Sequence, residues 1–537
     1  MLWEGYGYSM NRIQVLDCTL RDGGYCNQWN FGYDNIHKII LSLTEADIDI
    51  IECGFLTDKE EYDCDITKFT TLGNLLPFLP KAQDRKLFVA MINYGEYDVD
   101  KLPRRSGNTL DGIRLAFHKK NMLQALEVCR RIQEKGYLVF VQPTVSIGYS
   151  DEEFIHLIRL VNELKLYAFY IVDSFGMMKE KDLIRLFYMV EHNLDVSIRI
   201  GFHSHNNMQL AYSNAQKLVT IQTGRNIIID TSVYGMGRGA GNLNTELFVE
   251  YLNENIGTVY QLKPLLRIID EVIHEFYQKN YWGYSLPNYL SAKHNAHPNY
   301  AKYLDDKKTL RIEDMEAIFE MMDAERCLSF DVDYIEDLYI CYMNKAYKER
   351  KRDMGEVELS QIMDGKKILL IAPGKSSVEE KDIMMEYMLR NKAIAISVNF
   401  EYQYVETDYI FLSNLRRFRE LDESKYGKCI VTSNIPAKKV FLRAKYQELL
   451  NDDEIVKDKA GLMAIRFLMK YNISEIALAG FDGYSHDAEE NYGEKKMAFY
   501  TRSEVLDAMN ERMGEVIKQY AKEVNIVFLT KKRFLKV

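Results

Sequence analysis

The sequence predicts an α/β chain: an N-terminal (β/α)8 TIM barrel, a helical segment, and a C-terminal Rossmann-like open α/β domain. Three observations predict it. Short apolar runs alternate eight times with amphipathic stretches over residues 11–265, the pattern turns wholly helical over 266–356, and a second α/β alternation fills 357–537. Eight βα units take about 250 residues, the length of the first stretch. A doubly wound open sheet is the alternative reading of the same alternation.

In chain order, the strands of the first domain are expected at Ile13–Leu20, Ile48–Phe55, Lys86–Asn93, Gly112–Phe117, Tyr137–Val145, Ala168–Asp173, Ser197–His203 and Asn226–Val233. Their near-continuous apolar character suits strands covered on both faces. Between them, Asn35–Ala46, Lys120–Lys135, Asp151–Leu164 and Lys179–His192 carry the i, i+3, i+4 spacing of amphipathic helices. The middle segment reads as helices over Leu262–Lys279, Ile312–Met322 and Val332–Glu349. It ends in the charge run Lys348–Asp353, a solvated helix end entering a linker. In the last domain, strands are expected at Lys367–Ala372, Ala393–Asn399, Tyr409–Leu412, Cys429–Ser433, Glu475–Ala479 and Asn525–Leu529. Helices over Val378–Leu389 and Gly461–Tyr471 lie between them.

Composition narrows the function. Lys and Arg number 69 against 79 Asp and Glu, a net charge of −10, which disfavours a nucleic-acid partner because backbone binding needs a basic surface. Nine prolines and 30 glycines in 537 residues leave no room for long low-complexity tracts. No apolar run approaches the length of a membrane-spanning helix, and Met1–Met10 lacks the basic and apolar regions of a signal peptide. Cys18, Cys26, Cys53, Cys64, Cys129, Cys327, Cys341 and Cys429 form no CxxC pair. Reduced thiols in a cytoplasmic protein are therefore expected.

In such a barrel the chemistry lies at the carboxyl ends of the strands. Those ends collect Arg21 and Asp22, Glu52, Asn93, Arg114 and His118, Gln142 and Thr144, Asp173 and Ser174. The seventh strand ends in His203-Ser204-His205-Asn206-Asn207, and the eighth runs into the glycine-rich loop Gly235–Asn242. On an extended segment alternate side chains share a face, so His203 and His205 can reach one ion. Asp22 would complete a two-histidine, one-carboxylate set with open positions for substrate. Mg2+ or Mn2+ suits that set, and Zn2+, Co2+ or Fe2+ is compatible with it. The plainer reading is a pair of hydrogen-bonded histidines and an Arg21–Asp22 salt bridge across the barrel mouth.

Three segments carry a family resemblance. Leu16-Asp17-Cys18-Thr19-Leu20-Arg21-Asp22-Gly23-Gly24 resembles the first-strand signature of the DRE-TIM metallolyases, a superfamily that includes 4-hydroxy-2-oxovalerate aldolase, HMG-CoA lyase and the isopropylmalate, citramalate and homocitrate synthases. Gly201–Asn207 with Leu210, Ala211 and Asn214 is similar to their strand-7 metal motif, and Gly237–Glu246 to their strand-8 loop. The resemblance covers about residues 11–265 and reaches into Tyr281–His294. It implies that Asp22, His203 and His205, with Asn242, hold a divalent ion, that the ion chelates a 2-oxo acid, and that Arg21 supports the enolate. The substrate contacts are then expected from Glu52, Asn93, Arg114, Thr144 and Asp173. The aldolases carry a catalytic histidine three residues after the metal-binding Asp. Here that position is Tyr25, so the base is Tyr25, Tyr284, His294, His118 or a metal-bound water. The loop Gly24–Phe31 either recognises a polyhydroxylated substrate or packs.

In the last domain, Pro373-Gly374-Lys375-Ser376-Ser377 follows a strand and precedes a helix. It either holds a phosphate or is a plain helix cap. With Asn399, Asn414 and Asp482 at later strand ends, Gly374 and Ser376 suggest a ligand crevice, with a nucleotide as the candidate ligand. A faint likeness to pterin pyrophosphokinases and bacterial sialyltransferases points the same way. The sequence therefore reads as a cytoplasmic, homo-oligomeric metal-dependent aldolase joining or splitting a pyruvate-like 2-oxo acid and an aldehyde. The rivals are a Claisen-type acyl-CoA synthase and a metal-binding barrel with nucleotide-linked transfer in the last domain.

Overall fold

The structure is a computed structural model that describes residues 13–80, 86–107, 109–344, 354–494, 497–498 and 503–533. Met1–Met10, the run Lys348–Asp353 and the end of the helix expected to reach Glu349 lie outside the described residues. The chain divides into two units, residues up to 301 with 323–330, and 302–322 with the residues from 331 onward.

The first unit is a closed parallel barrel. Its strands are β1 (Ile13–Asp17), β2 (Ile50–Leu56), β3 (Leu87–Asn93), β4 (Gly112–Phe117), β5 (Leu138–Pro143), β6 (Ala168–Asp173), β7 (Arg199–Ser204) and β8 (Ile227–Thr231). Neighbours pair in parallel, and β1 pairs with both β2 and β8, which closes the cylinder. The first expected strand runs too far. After Asp17 the chain turns into a short helix, Thr19–Asp22, because the Asp17 carboxylate accepts the Thr19 N–H at 2.9 Å and ends the extended conformation. A two-residue strand, Lys68–Phe69, pairs with β2 and is too short to leave a pattern.

The period of two along each strand sorts the side chains. On β4, Ile113, Leu115 and Phe117 join the outer core beneath the helices while Arg114 turns inward. On β8, Ile227 and Ile229 face out, and Ile228 and Asp230 face in. The inner core holds Leu16, Ile50, Val89, Phe140, Tyr170 and Ile228. Gly201 is glycine because a Cβ there would lie 2.3 Å from the Tyr170 ring. The helices follow the predicted apolar spacing. Asp151–Leu164 starts on a capping box between Ser150 and Glu153. The stretch expected over Leu262–Lys279 is helical but contains a π turn at Ile269–Ile273.

The expected helical segment 266–356 is not one body packed on the barrel. Tyr300 belongs to the first unit, where its hydroxyl donates to the carbonyls of Arg326 and Ser329 at 3.0 and 2.7 Å. Helices Ile312–Glu320 and Val332–Met343 belong to the second unit. The reason is a buried carboxylate. The hydroxyls of Tyr339 and Tyr446 both donate to Asp458, and two sealed phenols need that acceptor.

The second unit is an open, all-parallel sheet of β9 (Lys367–Ile371), β10 (Ile394–Val398), β11 (Tyr409–Leu412), β12 (Cys429–Thr432), β13 (Leu442–Ala444), β14 (Glu475–Ala479) and β15 (Ile526–Phe528). The order is β13-β12-β11-β10-β9-β14-β15. β13 was not expected, since three residues make no apolar run. The helix expected over Val378–Leu389 is broken at Glu380 (φ −112°, ψ 26°), between Ser376–Glu379 and Lys381–Asn391. No disulfide joins any of the eight cysteines, and no helix among the described residues is long and apolar enough to cross a membrane.

The division of the chain predicts the outcome of a truncation. A chain ending near Ser360 removes the sheet of the second unit but keeps Ile335, Tyr339 and Met343, all at 0% exposure in the full chain. It should bind a hydrophobic dye and self-associate, whereas the full chain should not. A monodisperse, cooperatively unfolding 1–360 fragment would refute the division.

Candidate metal centre and active site

The site is built on a buried ionic chain. Arg114, with no exposed side-chain surface, donates to Glu52 Oε2 at 2.8 Å and to Asp230 Oδ2. The same Glu52 oxygen accepts from Arg21 Nε at 2.8 Å, and Arg21 also grips Asp22. The same Asp230 oxygen lies 3.0 Å from His203 Nδ1. Burial alone would raise the Asp230 carboxyl, but Arg114 and His203 outweigh it and hold it below the usual range. Asp22 behaves likewise. Arg21, His205 and His203 overcome its burial and keep it ionised.

Above this chain, Asp22, His203 and His205 present ligand atoms within 4.8 Å of one another, and the group can hold a metal ion. His203 commits Nδ1 to Asp230, the carboxylate–histidine arrangement that orients metal ligands. His205 Nδ1 lies 3.8 Å from Asp22 and has no hydrogen-bond partner, and burial pushes this imidazole down to about 4, so it is neutral near pH 7. Asn242 donates to Asp22 Oδ2 at 2.5 Å while its own Oδ1 is buried and unpartnered. Two orphaned acceptors beside an ionised carboxylate are what a divalent cation requires, so the residues fit the ion. Backbone bridging pairs His205 with Asn242. Gly237 must be glycine, since a Cβ there would stand 2.1 Å from the Asn242 amide.

These residues open onto a cavity of about 100 Å3 lined by Arg21, Asp22, Tyr25, Asn93, Gln142, Thr144, His203, His205 and Arg238 among others. The structure thus gathers Arg21, Tyr25, the metal set, Asn93 and Thr144 at one place. Three residues expected to touch substrate lie elsewhere. Glu52 and Arg114 are spent in the ionic chain beneath the cavity. Asp173 accepts the N–H groups of Met177 and Met178, both at 3.0 Å, and folds the loop after β6. Burial raises the Asp173 carboxyl to about 6. Tyr284 is 57% exposed and is not among the cavity walls, nor are His118 and His294. Desolvation raises the Tyr25 phenol above its usual value near 10. The Gly24–Phe31 loop packs through Trp29, whose indole donates to Arg21 O at 2.7 Å and lies under Lys68.

Sequence reasoning missed three contributors. Asp230 was legible as a lone carboxylate ending an isoleucine run. Gln142 was noted at its strand end without a role, and its Nε2 is a buried donor with no partner on the cavity wall. Arg238 was read only as part of the glycine loop. It donates to the His297 ring at 2.8 Å and to Asn299 at 3.1 Å, and no carboxylate pairs with it among the described residues. Burial, then Arg238 itself, pushes His297 down to about 3, so the imidazole beside Arg238 is neutral.

In the second unit, Gly374, Asn399, Asn414 and Asp482 line a common cavity, but Ser376 does not hold a phosphate-ready helix end. Its N–H donates to Asp482 at 2.7 Å and its hydroxyl to the same carboxylate, so an anion's place there is taken.

The geometry is that of a carbon–carbon lyase built on a barrel, and comparison with known proteins agrees. The profile of the family described as HMGL-like matches residues 112–272. A 4-hydroxy-2-oxovalerate aldolase from Geobacillus genomosp. 3 is 28% identical over 245 residues, 45% of this chain and 70% of that protein. An oxaloacetate decarboxylase from Mycobacterium tuberculosis is 27% identical over 250 residues, 44% of this chain and 69% of that protein. Among solved structures, the N-terminal domain of a proposed aldolase from Bacteroides vulgatus is 27% identical and covers 56% of this chain and 98% of its own, at a TM-score of 0.47. These matches support placing the barrel among the DRE-TIM metallolyases, and the second unit is unassigned.

The ionic chain makes a stability prediction. Arg114→Met would strand the Glu52 and Asp230 carboxylates in the core, and breaking such a pair from one side costs about 3–5 kcal/mol. Denaturant unfolding should show that loss. An unchanged midpoint would mean the chain is not what holds the barrel interior.

Proposed function

We propose that the barrel is a divalent-metal-dependent aldolase, making or cleaving the bond between a pyruvate-like 2-oxo acid and an aldehyde in a reducing cytoplasm. The observation that carries this reading is the pair of orphaned atoms, His205 Nδ1 and Asn242 Oδ1, beside the ionised Asp22 at the floor of a cavity that Arg21 also lines. Asp22, His203, His205 and Asn242 would hold Mg2+ or Mn2+, which supplies Lewis-acid polarisation of the keto oxygen.

The chain's own residues supply the rest. Arg21, fixed by Glu52 and Asp22, aims its guanidinium at the oxygen where charge gathers as the enolate forms, and fixed donors of this kind stabilise the transition state more than the ground state. Gln142 Nε2 offers a donor to the substrate carboxylate. In the bond-forming direction the methyl proton of the 2-oxo acid passes to water in the cavity, and Tyr25, protonated at neutral pH, gives a proton to the aldehyde oxygen as the new bond forms. Arg238 faces the same cavity with an unneutralised charge, so the aldehyde carries a carboxylate or phosphate. Retro-aldol cleavage and loss of the carboxylate β to the keto group of oxaloacetate both leave a pyruvate enolate, so the two activities named for the relatives are alternative outcomes of one enolate chemistry.

Exchange of pyruvate methyl protons in deuterated water, followed by NMR with Mn2+-free Mg2+-loaded enzyme, tests the first half of the reaction. Wild type should exchange without any aldehyde, and His205→Ala should lose both exchange and bound metal. Arg21→Lys should exchange on the order of 100-fold more slowly, the typical cost of one oxyanion donor. Tyr25→Phe should keep exchange and lose bond formation. A metal-free wild type that exchanges at full rate would sink the reading.

The charge on Arg238 gives a separate test. Arg238→Gln should raise KM for glyoxylate or a phosphorylated aldehyde at least about tenfold and leave acetaldehyde nearly unchanged, since a lost charge-assisted bond is worth roughly 1.5–3 kcal/mol. Equal effects on charged and neutral aldehydes would remove Arg238 from substrate recognition.

A further inference from the structure

We infer that the second unit binds a nucleoside phosphate in a cavity of about 180 Å3 at the carboxyl ends of its sheet. The topology creates the opening. From β9 the chain runs outward through β10 to β13, then returns to place β14 on the other side of β9. The loops that follow β9 and β14 part in opposite directions, and such a switch point is where open parallel sheets take ligands. Gly374 after β9 and Phe481 after β14 both line the cavity.

The lining is cationic in a chain whose net charge is −10. Lys307, Lys308, Arg417 and Lys459 face two carboxylates, Asp458 and Asp482. Three of the cations are already engaged. Lys307 pairs with Glu336 at 2.8 Å, Lys308 with Asp305 at 2.6 Å and Arg417 with Glu420 at 3.0 Å. Lys459 has no ion pair among the described residues. It precedes the nine-residue helix Ala460–Leu468, whose first turn lines the cavity and which no side chain caps. Open N–H groups and an unpaired ammonium at one helix start suit a phosphate.

A second observation points inward independently. Ser413 is 4% exposed and lines the cavity, yet its hydroxyl has no hydrogen-bond partner among the described residues. A hydroxyl open to the cavity is free to donate to a ligand there. The lining also includes the rings of Phe481, which packs against Gly461 at the same helix start, Tyr484 and Tyr492, with Met513 and Ile517. Inorganic phosphate has no use for those rings, whereas a nucleobase stacks on them.

The test uses the full-length protein in chelator, which keeps nucleotides from bridging to a metal in the barrel. Calorimetric titration with the mono-, di- and triphosphates of adenosine, guanosine, cytidine and uridine should find at least one that saturates a single site per chain. Its parent nucleoside and inorganic pyrophosphate should bind at least tenfold more weakly. Lys459→Ala should weaken the nucleotide at least tenfold, and Lys459→Arg, which keeps the positive charge beside the buried Asp458 carboxylate, should retain binding. Phe481→Leu should weaken the nucleotide but not pyrophosphate. Failure of every nucleotide to saturate, pyrophosphate binding as tight as the best nucleotide, or an unchanged affinity in Lys459→Ala would each overturn the inference.

Discussion

The barrel site depends on one sealed cation. Arg114 has no contact with solvent, so its charge survives only because Glu52 and Asp230 meet it on either side. Each of those carboxylates spends the same oxygen twice. Glu52 Oε2 holds Arg114 and Arg21, and Asp230 Oδ2 holds Arg114 and His203. A single guanidinium thereby fixes the two groups that bracket Asp22. In a low-dielectric interior these contacts reinforce one another, so the orientations of Arg21 and His203 are properties of the core and not of the loops above it.

The polar groups change character with height in the barrel. The lower tier is joined through Glu52 Oε2 and Asp230 Oδ2, while Glu52 Oε1, Arg114 Nε, Asp230 Oδ1 and the Tyr170 hydroxyl keep no hydrogen-bond partner among the described residues. The Tyr170 ring is pressed against Gly201 and under the Arg114 guanidinium. The upper tier leaves His205 Nδ1, Asn242 Oδ1 and Gln142 Nε2 without partners. Unsatisfied buried groups are destabilising and native structures keep few of them. Three of them around one cavity, held in place by the ion-paired tier below, are the arrangement that lets a ligand bind without first displacing protein contacts.

Much of this was legible in the sequence, for identifiable reasons. β4, β6, β11 and β14 begin and end at the residues their apolar runs mark, because both faces of each strand are covered. Asp22, His203 and His205 were legible because their spacing follows from strand geometry alone. Three features escaped for want of a local signal. Whether Glu52 and Arg114 face substrate or each other depends on pairing across the barrel, which no single strand records. Asp173 reads as a site residue from its strand end, and only the Met177 and Met178 amides reveal it as a loop brace. The division of residues 266–356 between the two units follows from Asp458, more than a hundred residues later, drawing in Tyr339. The sequence left the turn at Pro373–Ser377 open between a phosphate site and a plain helix cap, and the acceptor its Ser376 N–H meets is the chain's own Asp482.

On the reading proposed above, the two halves of an aldol reaction would fall on different parts of this barrel. The groups that serve the 2-oxo acid, Arg21, Asp22, His203, His205 and Gln142, stand on or directly after β1, β5 and β7, and most are tied to the ion-paired tier below. The groups that would meet the aldehyde, Tyr25 and Arg238, stand on loops, and Arg238 passes 5.4 Å from the Tyr25 ring with His297 and Asn299 as its neutral supports. Among the described residues Tyr25 makes no hydrogen bond or ion pair with the buried ionic chain, whereas Arg21 and His203 are part of it. Tyrosine can therefore stand where the related aldolases carry histidine without cost to the barrel interior. On the proposed reading, the strand-end groups serve the enolate half of the chemistry, and the loop residues Tyr25 and Arg238 would set the partner aldehyde.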